Sequence, residues 1–181
     1  ATTATNQSGG TVAATTISAS GLISANGGQI AFPATQSASV DANTLDDYEE
    51  GIWTPALTFA IPGNLSVTYN AVNFGAYTKI GRLVTLNFQI VTDTFTHTTA
   101  GGDLQITGFP FATGAAQAYG AIYWQGITKA NYTQITPDAY SGDTKASLVA
   151  SGSGQSISTV IATDVPSGGT IKISGTITYH V

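Results

Sequence analysis

Two stretches of strict two-residue alternation constrain this chain more than any other feature of its sequence. Between Arg82 and Thr92, Val84, Leu86, Phe88 and Ile90 alternate with Thr85, Asn87 and Gln89. Near the other end, Ile171, Ile173, Ile177, Tyr179 and Val181 alternate with Lys172, Ser174, Thr176, Thr178 and His180. A period of two places successive side chains on opposite faces of an extended backbone, so each stretch predicts a strand with one apolar and one polar face. Trp53, Pro55, Leu57 and Phe59 repeat the pattern on an edge strand, since Pro55 cannot donate to a ladder. Leu65, Val67 and Tyr69 repeat it after a turn at Pro62-Gly63-Asn64. Shorter strands are predicted over Leu104–Thr107, Tyr119–Thr128, Tyr132–Thr136, Ala146–Ala150 and Ser156–Thr163. No window of helical length carries a 3.6-residue apolar repeat. The predicted class is all-β: an antiparallel β-sandwich, jelly-roll-like, or a related barrel.

The first forty residues differ from the rest. They hold no charged side chain and few apolar ones, among them Val12, Ile17, Leu22, Ile23, Ile30 and Phe32. Ordering a backbone costs roughly 1–2 kcal/mol per residue, and so sparse a set of contacts does not offset it. Such a segment is a flexible linker, or it lies against another surface, most simply the same segment in neighbouring chains. The predicted division is therefore an extended arm or stalk over residues 1–45 and a β-sandwich head over residues 46–181.

Composition narrows the function classes. Charged residues are 8% of the chain, against roughly 25% in an ordinary soluble domain. The net charge is −5, and the basic residues Lys79, Arg82, Lys129, Lys145 and Lys172 are scattered. Nucleic-acid binding needs clustered cations to displace counterions from phosphates, so no nucleic-acid partner is expected, nor an anionic membrane surface. Without cysteine there is no disulfide framework or thiol chemistry. No apolar run reaches the roughly 18–20 residues of a membrane-spanning helix, and no signal peptide is visible.

No serine sits in a G-x-S-x-G frame, and the Ser151–Gly154 stretch lacks the lysine of a phosphate-binding loop. His97 and His180 have no partner at metal-ligand spacing. Asp46, Asp47, Glu49 and Glu50 are the strongest catalytic candidates, because glycoside hydrolysis needs paired carboxylates. The plainer reading is a solvated acidic junction at the edge of the arm. No catalytic residue, metal or cofactor is expected. Aromatic residues crowd one quarter of the chain, with Gln125, Asn131 and Gln134 nearby, as on sugar-binding surfaces. Tyr123, Trp124, Tyr132 and Tyr140 are the candidate glycan or receptor contacts, with Trp124 as readily a core residue.

The stretch from Gln29 to Gln36, followed by Asp41-Ala42-Asn43-Thr44-Leu45-Asp46-Asp47-Tyr48-Glu49-Glu50-Gly51-Ile52-Trp53-Thr54-Pro55, resembles a signature of phage and prophage structural proteins, chiefly tail-fibre or virion-associated chains. Tyr77–Arg82, Ile106–Phe111 and Ile173–Thr176 resemble the same group. Ile52 stands where that group carries a threonine. Within these stretches Gln29, Ile30, Phe32, Leu45, Tyr48 and Trp53 are the candidate assembly residues. The resemblance implies a non-enzymatic, β-rich virion protein on the exterior of the particle: a tail-fibre or tail-tip component. It implies a homotrimer but no receptor; the expected partners are the chain itself, other virion proteins and, from the crowded aromatic residues, a host-surface glycan, without insertion into a membrane. A capsid decoration protein, a glycan-degrading tailspike using the acidic cluster, and a secreted lectin are the competing readings.

Overall fold

The computed structural model describes residues 20–21, 27–35, 39–41, 43–152 and 154–181. The chain divides into two units, Ala1–Ala31 and Phe32–Val181. Most of the predicted arm lies outside the described residues.

From Phe32 onward the described secondary structure is strand apart from one short 3-10 turn at Ala162–Asp164. The strands are β1 (Tyr48–Ile52), β2 (Ala56–Ile61), β3 (Ser66–Tyr69), β4 (Phe74–Ile80), β5 (Leu83–Thr96), β6 (Gly101–Thr107), β7 (Ala118–Gln125), β8 (Gln134–Ala139), β9 (Lys145–Gly152), β10 (Gln155–Thr159) and β11 (Lys172–His180). Their order is β1-β4-β5-β11-β7-β8-β9-β6-β2, with β10 beside β9 and β3 beside the far half of β5. Every ladder is antiparallel. The path is one curled sheet folded into a sandwich, and β7 belongs to both layers. Gly120–Gln125 pair with β11, whereas Ala118 and Tyr119 pair with β8.

The alternation in the sequence sets which side faces the core. On β5 and β11, Ile90 pairs with Ile173, Leu86 with Ile177 and Val84 with Tyr179, and all six are buried. Leu57, Phe59, Leu104, Ile106, Ile135 and Leu148 supply the opposing layer of the same core. Trp53 stands edge-on to Phe88 and Phe109, with ring centroids 5.8 and 5.7 Å away, and Phe109 stacks on Tyr179. The Trp53 indole donates to the Ala76 carbonyl at 3.2 Å, so its one polar atom is satisfied in the core. Gly75 makes room for this: a Cβ there would lie 2.6 Å from the Trp53 carbonyl oxygen.

Of the predicted edge strand, Leu57 and Phe59 fall in β2, at one end of the path, while Trp53 and Pro55 precede it; all four are buried as the alternation requires. Two strands went unforeseen, β1 and β4. The predicted strand at Tyr132–Thr136 begins two residues later and runs through Pro137. Proline is tolerated there because β8 pairs with β7 only at Asp138 and Ala139, leaving no ladder beside Pro137 on that side. The stretch expected to be strand up to Thr163 instead breaks after Thr159 into the 3-10 turn, where Asp164 accepts hydrogen bonds from the Ile161 backbone at 2.9 Å and from Lys129 at 2.7 Å.

Candidate functional site

The register of the first layer defines a broad outward face. Rows of paired residues cross it: Tyr48–Ile80–Leu83–His180, Glu50–Thr78–Thr85–Thr178, Ile52–Ala76–Asn87–Thr176–Ala121, Phe74–Gln89–Ser174–Tyr123, and Val91–Lys172–Gln125. Paired residues in an antiparallel ladder share a face. This one therefore joins hydroxyl and amide side chains to several exposed apolar ones. Ile52 is 82% exposed, Tyr123 58% and Phe74 53%, while Tyr48, Ile80 and Leu83 are also exposed. Its charged side chains are Glu50 and Lys172. Glu50 accepts from the Tyr48 hydroxyl at 2.9 Å, and the Lys172 ammonium lies 5.8 Å from the centre of the Tyr123 ring. The Ser174 hydroxyl, buried beneath this face, has no hydrogen-bond partner.

At the β1–β4 edge the face opens into a groove of about 310 Å³, lined by Ile52–Pro55 on one side and Asn73–Gly75 on the other. Asn73 donates from Nδ2 to the Pro55 carbonyl at 3.1 Å, which holds the two walls together. Its Oδ1 is buried without a partner.

The four candidate aromatic contacts are not brought onto one platform. Tyr123 projects from the outward face of β7. Trp124, one residue on, points to the other side and packs half-buried against the core. Tyr132 precedes β8 and is half-buried, donating to the Ser156 carbonyl at 3.0 Å with the Lys129 ammonium 5.7 Å from its ring centre. Tyr140, exposed, follows β8 at its opposite end. At roughly 3.3 Å per strand residue, Tyr132 and Tyr140 stand on the order of 25 Å apart along the strand.

Of the candidate assembly residues, Gln29, Ile30 and Leu45 are exposed, Tyr48 is on the outward face, and Phe32 is half-buried with its ring 6.5 Å from that of Tyr48. Trp53 is part of the core, 7% exposed.

The acidic stretch is solvated only in part, at Glu50. Asp47 is buried in an ion pair with Lys79 of β4, itself buried. Glu49 accepts from the Tyr77 hydroxyl, and the loss of that hydrogen bond on ionisation, with burial and then the carboxylate's charge, pushes the Tyr77 phenol up to about 12. Glu49 and Glu50 are adjacent on a strand and so lie on opposite faces, which removes them as a facing carboxylate pair. The His97 ring packs against Phe59 and Phe95, with Nε2 3.0 Å from the Val165 carbonyl.

A feature the alternation did not reveal lies on the outside of the second layer. Asp138 pairs in register with Tyr119 and Ser147, and Ser147 with Gln105. Asp138, Ser147 and Gln105 are all buried. The Asp138 Oδ1 has no partner, and burial holds its carboxyl above the ordinary value of 3.8. Among the described residues no group of three or more His, Cys, Asp or Glu side chains converges as a metal site. No described helix is long and apolar enough to cross a membrane.

No protein-family model and no curated protein matches the chain. Among solved structures, it is similar to the Dettilon tailspike protein, with a TM-score of 0.55 and 14% identity, over 74% of this chain and 24% of that one. At that identity the likeness is one of fold, and the chain spans about a quarter of the tailspike chain's length. It also overturns the expectation of a non-enzymatic protein. A tailspike carries this fold, so the lack of a familiar catalytic motif no longer places the chain outside the enzymes.

Proposed function

We propose that the chain is a domain of a bacteriophage tail protein, a tail-fibre or tail-tip component on the exterior of the virion that works as a homo-oligomer and contacts the host surface. The observation that carries this reading is the sandwich shared with a tailspike protein over 74% of the chain. The junction motif from Asp41 to Pro55, which resembles tail-fibre and virion-associated chains, supports it from an independent direction. So does the composition: with only 8% charged residues, a surface rich in hydroxyl and amide side chains suits neutral, hydroxyl-rich partners such as host-surface glycans better than phosphate-bearing ones. In this reading residues 1–45 are an arm that anchors the head to other virion proteins or to neighbouring copies. Of the candidate aromatic residues, Trp124, Tyr132 and Tyr140, which do not project from the outward face of the first layer, are the ones proposed for host contact. Because they are dispersed, each would act in a separate contact.

Immunogold labelling of particles of the encoding phage, with an antibody raised against residues 46–181, tests the placement. Label at the tail tip or fibres is the expected result. Label on the head would replace this reading with a capsid decoration protein, and unlabelled particles would remove the virion assignment altogether.

A further inference from the structure

We infer that the outward face of the first layer, together with the groove at its β1–β4 edge, is the surface on which a second copy of this chain docks. The inference rests on the homo-oligomeric reading above and assigns the oligomer to one surface.

Scattered exposed apolar residues are ordinary, but here Ile52, Phe74, Ile80, Leu83 and Tyr123 share a single sheet face. Between them stand Thr78, Thr85, Asn87, Gln89, Thr176 and Thr178. Hydroxyls and side-chain amides both donate and accept hydrogen bonds, so a surface built from them is complementary to a copy of itself. A cationic or anionic partner has no matching array to bind.

The charge distribution selects the same occupant. The whole chain carries −5, so copies approaching through most surfaces repel. This face holds one acid, Glu50, and one base, Lys172, and is balanced. Five strands at about 4.8 Å spacing and rows two residues apart give a footprint on the order of 600 Å² once side-chain relief is included. That is near the lower end of the roughly 800 Å² per partner that specific interfaces bury. The groove adds depth, and its buried, unpartnered Asn73 Oδ1 is an acceptor that a donor from the docked copy would satisfy.

The test is sedimentation velocity on the full chain across a concentration series. It is run beside a Phe74→Lys/Tyr123→Lys variant and a control Tyr140→Lys/Ile157→Lys variant, whose sites are exposed but off this face. Thermal melts establish that all three are folded. The expected result is a wild-type oligomer, a face variant that associates roughly 100-fold more weakly, and an unchanged control. An oligomer that the face variant leaves intact, or that both variants weaken equally, overturns the assignment of this face while the tail reading stands. A wild-type chain that stays monomeric overturns both the docking surface and the homo-oligomer. The tail placement is then judged by particle labelling alone.

Discussion

Lys79 and Asp47 form an ion pair sealed between β4 and the entry to β1, with side-chain exposures of 5% and 7%. The Asp47 carbonyl also accepts from the Gly81 backbone at 2.9 Å, so one residue pins both the side chain and the turn that follows β4. Removing one member of a buried pair leaves the other as an uncompensated charge. Lys79→Met is expected to cost about 3 kcal/mol in urea unfolding. Lys79→Met combined with Asp47→Leu should restore most of that loss. Equal losses in the single and double variants would show that packing, not charge, is what Lys79 contributes.

Asp138 gives the opposite sign. Its folded carboxyl holds a proton to higher pH than the ordinary 3.8 because burial disfavours the charge. As pH rises through that window the unfolded chain loses a proton that the folded chain keeps, so stability falls and stays lower above it. Asp138→Asn is expected to raise neutral-pH stability by about 1 kcal/mol, since it removes a buried charge with an unpartnered oxygen. The gain should vanish in melts below pH 3.8, where both states hold the proton. A variant less stable than the parent at neutral pH would assign Asp138 a partner.

Two tyrosines should ionise late. Tyr77 is raised to about 12 by its hydrogen bond to Glu49, and Tyr179 to about 12 by burial. Above pH 10 the unfolded chain releases phenolic protons that these two retain, so alkaline stability falls from that point upward. Spectrophotometric titration should find them last among the eight tyrosines, and Glu49→Gln should return Tyr77 toward 10 without moving Tyr179.

Gly75→Ala brings a methyl group within 2.6 Å of the Trp53 carbonyl oxygen and 2.8 Å of its indole nitrogen. Overpacking of this kind typically costs about 1–3 kcal/mol. Because Trp53 is buried, the displacement should also appear as a red shift in fluorescence. A lower melting temperature with an unchanged emission maximum would locate the strain elsewhere.

The two alternating stretches were legible because their apolar faces are unbroken, and they became β5 and β11, the centre of the first layer. β1 and β4 were not legible because their inward positions carry Glu49, Tyr77 and Lys79. These polar groups satisfy one another or their neighbours only once the strands are paired, so no single-strand pattern marks them as buried. The acidic stretch was misread for the same reason: Asp47 and Lys79 are thirty-two positions apart. Asp138 was hidden by its proline neighbour, and the outward face depends on register between five strands, which alternation within each one does not supply. The N-terminal arm, read from composition alone, falls mostly outside the described residues.

The position of β11 sets the order of events in folding. It lies between β5 and β7, so the strand of this sheet that comes last in chain order is an interior one. Until it arrives, β5 and β7 each present an unpaired ladder and an uncovered apolar row, the condition in which strands from different molecules join. A nascent chain is therefore held open at its middle for the interval between the making of β7 and the arrival of β11. Expression yield should depend on that interval more than on the stability of the finished sandwich.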